Sequence, residues 1–244
     1  MDSVEDKQFR AAIISGADEL GLAVSGDELH AYTAHFTLLL ARRPAADLTS
    51  LTDPAGIAIK HFLDSLTCLL VREIAVGECV ADVGSGGGFP GLVLAVARPE
   101  ASYTLIESNQ KRAYFLEEVV HALQLGNVRV VRQRAEDAGR DPAHRDTYDL
   151  TLSRAVAPLP VSLEYCLPLT RPGGQCLALK GPRAEREIQR SERALSELRA
   201  RIVETRRLSL PQGMGARALL LIEKEAPTPE RYPRRRGIPV KRPL

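Results

Sequence analysis

Asp82-Val83-Gly84-Ser85-Gly86-Gly87-Gly88-Phe89-Pro90-Gly91 decides how this 244-residue chain is read. A short apolar run, 79–83, leads into it, and an apolar run over 92–97 leaves it as a helix. A strand, a glycine turn and a helix in that order put the turn at the carboxyl end of a sheet. Ligands bind there in open α/β folds. Glycines let the backbone turn tightly and approach a ligand closely. A nucleoside triphosphate loop needs Lys and then Ser or Thr after its glycines, and none follows here. A dinucleotide loop wants G-x-G-x-x-G; Gly84 and Gly86 fit, but Phe89 stands at the third position.

Gly84-x-Gly86-x-Gly88 fits instead the loop of enzymes that bind S-adenosylmethionine. Asp82 then ends the strand, where its carboxylate reaches loop amides or the ammonium of the cofactor. Glu107 ends the next apolar run, nineteen residues beyond Gly88. A carboxylate there accepts hydrogen bonds from both ribose hydroxyls of an adenosine, at roughly 1.5–3 kcal/mol each. Ala135-Glu136-Asp137 follows the third run, and a short side chain beside an acid suits the edge and exocyclic amine of an adenine. Loop, strand-end acid and third-run acid, in that order, outweigh a structural turn with surface acids.

The rest of the chain alternates to match. Strands are expected at 79–83, 103–107, 128–131, 148–152 and 176–180, with a helix at 111–123 stopped by a left-handed Gly126-Asn127. One charged helix is expected over 183–202, then an antiparallel hairpin from strands near 202–208 and 218–222 at the sheet edge. Before residue 72 the pattern is helical: one amphipathic helix on Phe9, Ile13, Ile14 and Leu20, a second over 28–42, a loop over 44–54 and a third helix over 58–71. The fold class is therefore α/β: a Rossmann-like, seven-stranded class I SAM-dependent methyltransferase fold with an N-terminal helical extension. Three parts are expected: 1–72 as that extension packed on the core, 73–225 as the SAM-binding domain, and 226–244 as a basic tail.

Composition narrows the classes further. Hydrophobic residues make up 44% and charged residues 26%, ordinary for a globular protein. No apolar run is long enough to span a membrane, and residues 1–10 lack a secretory core. A cytoplasmic location is expected. Cys68, Cys79, Cys166 and Cys176 form no C-x-x-C pair and no metal site; three lie in apolar runs and read as small core hydrophobes. The net charge of +2 is unevenly spread. Residues 1–50 carry eight acids against four bases, whereas 231–244 carry six bases and no acid. That basic end points to a polyanionic partner, against the alternative of a merely solvated tail.

These details resemble one family, ribosomal RNA small subunit methyltransferase G, also called glucose-inhibited division protein B. Asp82 to Gly91 resembles its D-x-G-[ST]-G-x-G-x-P-G loop. ESNQKRAYFL from Glu107 resembles its acid, Lys-Arg pair and Phe-Leu. YDLTLSRA from Tyr148 resembles its fourth strand, and Ala178 to Gly181 its fifth. HFLDSL from His61 and the tail YPRRRGIPVKRPL from Tyr232 complete the set. The likeness spans about residues 30–244. Where the family commonly has Asn-Leu-Thr, this chain has Asp47-Leu48-Thr49.

The resemblance implies methyl transfer from S-adenosyl-L-methionine to N7 of a guanine in 16S rRNA. It implies cofactor contacts at Gly84, Phe89, Ala135, Glu136 and Arg154, with Glu107 on the ribose. Its partner is 16S rRNA or the small ribosomal subunit; no DNA and no membrane are expected, and a monomer is. Guanine N7 has a free lone pair and no proton to lose, so no general base is expected and no catalytic residue is assigned. Lys180, Arg234, Arg235, Arg236 and Lys241 are the candidates for RNA phosphates. Arg154 reads equally as a ligand contact or as half of a structural ion pair. His61 and Asp64, one helical turn apart, read as packing first.

Overall fold

In the computed structural model, which describes residues 3–244, seven strands form one sheet in the order β3-β2-β1-β4-β5-β7-β6. Residues 1 and 2, the start of the expected 1–72 extension, lie outside the described residues. β1 (Cys79–Val83), β2 (Ser102–Ile106), β3 (Val128–Val131), β4 (Tyr148–Arg154) and β5 (Thr170–Lys180) run parallel. β6 (Ala200–Ser209) and β7 (Ala216–Lys224) make the expected antiparallel hairpin, and β7 slots between β5 and β6. The order reverses at β1, whose neighbours are β2 and β4. Both of its faces are covered, so its residues read as a plain apolar run rather than an alternation.

The amino-terminal helices are α1 (Val4–Leu20) and α2 (Gly26–Ala46), each opened by a Ser capping box, from Ser3 and Ser25. α2 runs past Pro44, where a loop was expected. Proline forfeits only the bond of its own missing N–H, and the helix is already in its last turn. It closes at Asp47, left-handed at φ 50°. The next stretch is not one regular helix. α3 (Pro54–Ile57) passes into a π-helical turn, Ala58–Leu63, then α4 (Asp64–Leu66) and a 3-10 turn, Thr67–Leu70.

α5 (Gly91–Ala97), α6 (Gln110–Ala122), α7 (Ala135–Ala138) and α8 (Leu159–Cys166) link the parallel strands. The left-handed residue after α6 is Gln124 at φ 53°, not Gly126. Asn127 instead donates its amide to the carbonyls of Ala95 and Ala101. Every side chain of α8 is buried, so it lacks the polar face that betrays a helix in sequence. The expected helix over 183–202 divides into α9 (Ala184–Gln189) and α10 (Glu192–Leu198). Ser191 between them is buried and returns its hydroxyl to Glu187 O at 2.7 Å, a bond that competes with helical geometry.

The extension shares its core with one face of the sheet. Phe9, Phe36 and Phe62 pack in the same cluster as Phe89, Leu92, Leu105 and Phe115. Leu210, from the connection between β6 and β7, joins that cluster. Each such side chain contributes about 1.5–3 kcal/mol on burial. On the other face α8, α10 and the carboxyl-terminal residues Tyr232 and Leu244 cover Ala81, Val83, Cys176 and Leu220. Cys68, Cys166 and Cys176 are buried thiols and Cys79 is exposed, with no disulfide among them.

Candidate functional site

The glycine turn lies where the strand order reverses. Gly84 N–H donates to Ile106 O at 2.8 Å, tying the loop to the end of β2. Gly88 has φ +91°, and a Cβ there would lie 2.4 Å from Leu92 Cδ1, so only glycine fits. A Cβ on Gly86 would meet nothing nearer than Gly84 O at 3.9 Å, so this backbone borders open space in which a ligand can approach. Asp82 is buried, and its Oδ2 accepts the N–H of Gly91 at 3.0 Å. Its Oδ1 is buried with no protein partner. Burial pushes its carboxyl up to about 6.

Glu107 lies immediately after β2, 5% exposed. It accepts Gly86 N–H at 3.0 Å and Asn109 N–H at 2.7 Å, one on each oxygen. Each oxygen keeps a further lone pair for a hydroxyl donor. Asn109 in turn caps α6 through the amides of Lys111 and Arg112. Ala135 and Glu136 open α7. The Glu136 carboxylate accepts Gly237 N–H at 3.0 Å. Burial, with the nearby charges of Glu136 and Glu164, pushes the Tyr165 hydroxyl up to about 12.

Phe89 is packed between two imidazoles. His35 stacks on it at 5.1 Å between centroids and His61 at 4.8 Å. His35 Nε2 also reaches Gly87 O at 2.8 Å, and Tyr32 donates to Val93 O, so α2 holds both the loop and the helix after it. Burial lowers His35 to about 4. Burial and then the Arg154 charge lower His61 to about 3. His61 Nδ1 lies 3.1 Å from Lys60 O and 3.2 Å from an Arg154 nitrogen, and Nε2 lies 2.8 Å from Thr49 Oγ1, so both ring nitrogens are engaged.

Asp64 is the residue the sequence undervalued. Its carboxylate is buried and held by Arg154 Nη1 at 3.0 Å and by Arg217 Nε at 2.9 Å. Arg154 also donates to Lys60 O at 2.9 Å and lies 5.2 Å from the centre of the Phe89 ring. The structure thus makes Arg154 half of an ion pair with Asp64. The π-helical turn sets this up: Asp64 N–H reaches back five residues to Ile59 O. Such turns recur at functional sites.

Beside this clamp opens a cleft of about 600 Å³ at the carboxyl ends of β4 and β5. Lys60, Arg154, Lys180, Arg183 and Arg217 line it, against only Asp64 and Glu187. Lys60 and Arg183 carry no ion pair among the described residues and are free to meet an anion. Lys180, expected to meet a phosphate, is buried instead. Its ammonium is engaged by Ala157 O at 2.7 Å and Glu187 at 3.1 Å. Within the tail, Arg234 binds the fully buried Glu164, Arg236 binds Asp137 and Arg231 binds Glu197. Arg235, Lys241 and Arg242 are exposed without an ion pair among the described residues. Tyr232 is 5% exposed with its hydroxyl on Glu197, so its ring is not available to stack on a base. No cluster of His, Cys, Asp or Glu among the described residues could hold a metal ion. No helix among them is long and apolar enough to cross a membrane.

The sequence model of GidB, described as rRNA small subunit methyltransferase G, matches residues 28–212, which take in the glycine loop, Glu107, the Asp64–Arg154 clamp and the first strand of the hairpin. The chain belongs to the rRNA small subunit methyltransferase G family. A family relative from Symbiobacterium thermophilum is 46% identical over 97% of this chain and 98% of its own length. One from Deinococcus deserti is 43% identical over 95% of each. Both are named ribosomal RNA small subunit methyltransferase G. Among solved structures, TYW2 of M. jannaschii in complex with AdoMet has TM-score 0.51 at 15% identity, covering 66% of this chain and 74% of its own. TrmN from Thermus thermophilus has TM-score 0.51 at 22% identity, covering 76% and 53%. These two share the fold of this methyltransferase G member.

Proposed function

We propose that this chain transfers a methyl group from S-adenosylmethionine to N7 of a guanine in 16S ribosomal RNA, as a cytoplasmic monomer. One observation carries the reading: Asp82, the open backbone at Gly86 and Glu107 converge at one crevice, and a basic cleft lies alongside. The chemistry of the cofactor fits these groups. The buried, unpartnered Oδ1 of Asp82 suits the ammonium of its amino-acid end. The free lone pairs of Glu107 suit a ribose diol. The Gly86 backbone leaves room for close approach. Ala135 and Glu136, at the start of α7, would offer the adenine a short side chain beside an acid. When bound, the cofactor supplies a methyl group on a positively charged sulfur.

The residues of the cleft have to align the guanine and hold the RNA, not move a proton. N7 offers a lone pair directly, so no base is required. The side chains support this. His61 is kept neutral and both its nitrogens are engaged, and Asp64 is committed to two arginines. Catalysis then comes from orientation and from the electrostatics of a partly dry pocket. Lys60 and Arg183 in the cleft, with Arg235 and Lys241 on the tail, are the phosphate contacts in this reading. Lys180, Arg234 and Arg236 support them through their ion pairs. The test is transfer of tritiated methyl to small ribosomal subunits from a strain lacking the enzyme, with mapping of the labelled base. Label on N7 of one 16S guanine is expected, and no label on RNA would refute the substrate.

A further inference from the structure

The carboxyl-terminal residues touch one short piece of the fold repeatedly. Gly237 N–H binds Glu136 at 3.0 Å, and Arg236 Nε binds both oxygens of Asp137 at 2.8 and 2.7 Å. Arg140 Nε donates to Pro233 O at 2.8 Å. Arg145 donates to Tyr232 O and Thr228 O. Gly139 is so close to the Pro233 ring that a Cβ there would lie 2.9 Å from Pro233 Cγ. Five residues of the tail, Thr228, Tyr232, Pro233, Arg236 and Gly237, thus bond to the stretch 136–145. The strap has its own anchor. Arg234 places its backbone N–H (2.8 Å) and its Nε (2.9 Å) on Glu164, a carboxylate that is fully buried. A charge so buried is stable only while paired, so the anchor is strongly coupled to the fold.

We infer that this strap builds the adenine wall of the cofactor site: Gly237, through Glu136, positions the turn at 135–138. Glu136 is a positioning residue in this account, since its carboxylate serves the strap. The adenine is read by the backbone of the turn that Glu136 steadies. α7 is a single four-residue turn with no side-chain cap, so it has little stability of its own. The strap supplies what it lacks. The inference rests on the proposal that adenosylmethionine binds at this crevice.

The experiment is calorimetric titration of the full-length protein with S-adenosylhomocysteine and with S-inosylhomocysteine, in which an oxygen replaces the exocyclic amine. Two variants loosen the strap without touching the crevice. Gly237→Pro removes the N–H that Glu136 accepts and, because Gly237 is left-handed at φ +74°, also frees the strap from its turn. The double variant Glu164→Gln with Arg234→Met releases the anchor without stranding a buried charge. Gly237→Asn, which keeps the N–H and tolerates the left-handed φ of +74° better than other side chains, is the control. The adenosyl ligand should bind about three- to tenfold more weakly to either loosened variant, the worth of one lost hydrogen bond. The preference for adenosyl over inosyl should shrink by a similar factor. Unchanged affinity in either folded variant overturns the inference. A loss equal for both ligands also overturns it, because general loosening does not alter selectivity. If wild type shows no saturable heat with the adenosyl ligand, the proposed function fails first.

Discussion

Replacing Glu107 by alanine removes the acid at the centre of the crevice. In the ligand-free fold it already joins two segments, Gly86 of the glycine loop and Asn109 of the α6 cap. Those amides border the crevice and regain water when the carboxylate goes, so the fold loses only about 1–2 kcal/mol. Ligand affinity loses more. Two ribose hydroxyls on an ionised acceptor are worth roughly 3–6 kcal/mol together. Glu107 shares its charge with two amides, which favours the lower end. About 3 kcal/mol corresponds to about a hundredfold in Kd. Glu107→Gln keeps one acceptor oxygen but turns an NH2 group toward one of the amides, and about tenfold is expected. Calorimetry with S-adenosylhomocysteine measures both, with circular dichroism as the check on folding. A folded Glu107→Ala protein that binds within twofold of wild type would refute the ribose assignment.

Asp82 makes cofactor binding pH-dependent. Its folded value is near 6 against an ordinary 3.8, so between about pH 4 and 6 the folded protein holds this proton more tightly than the unfolded chain. Its contribution to stability therefore grows as pH falls through that window, while an ammonium ligand needs the ionised form. Affinity for S-adenosylhomocysteine should drop as pH falls from 7 to 5, and Asp82→Asn should flatten that profile; a profile equally steep in the variant sinks the assignment. Asp64→Asn leaves Arg154 and Arg217 without their shared carboxylate and should cost about 3 kcal/mol in urea denaturation. A loss below about 0.5 kcal/mol would show that the clamp is not structural. Replacing Arg235, Lys241 and Arg242 together with alanine should reduce the salt slope of RNA binding by about 2 log units if all three meet single-stranded phosphates. An unchanged slope would remove the tail from the RNA surface.

What was legible in the sequence was local. The glycine loop, its flanking strand and helix, and Glu107 at the end of β2 lie within 29 residues, 79–107, and their order is diagnostic. The late hairpin was legible because two short apolar runs around Pro211 to Gly215 admit few other arrangements. The clamp was not, since residues 64, 154 and 217 meet only through the sheet. Nor was the pairing of the tail: Arg234 and Glu164 are 70 positions apart, and charge counting sees six bases without seeing the acids that take three of them. The π-helical turn escaped because its apolar spacing matches an ordinary helix closely. α8 escaped because all its residues are buried, Ser162 and Glu164 among them, so its polar residues mark no solvated face. Helix 183–202 was read as unbroken because one buried serine hydroxyl leaves no mark on periodicity.

Leu210 sets an order on how the molecule can be made. It completes the cluster that Phe9, Phe36 and Phe62 begin, and Pro211 sits against Gly16 of α1. α1 is thus sealed by a segment that is synthesised much later than it. A growing chain carries its amino-terminal aromatic side chains partly uncovered until the hairpin emerges, and such surface is what chaperones hold and aggregates form from. Shortening the β6–β7 connection would not touch the crevice, but it would leave the first half of the protein without its closing piece.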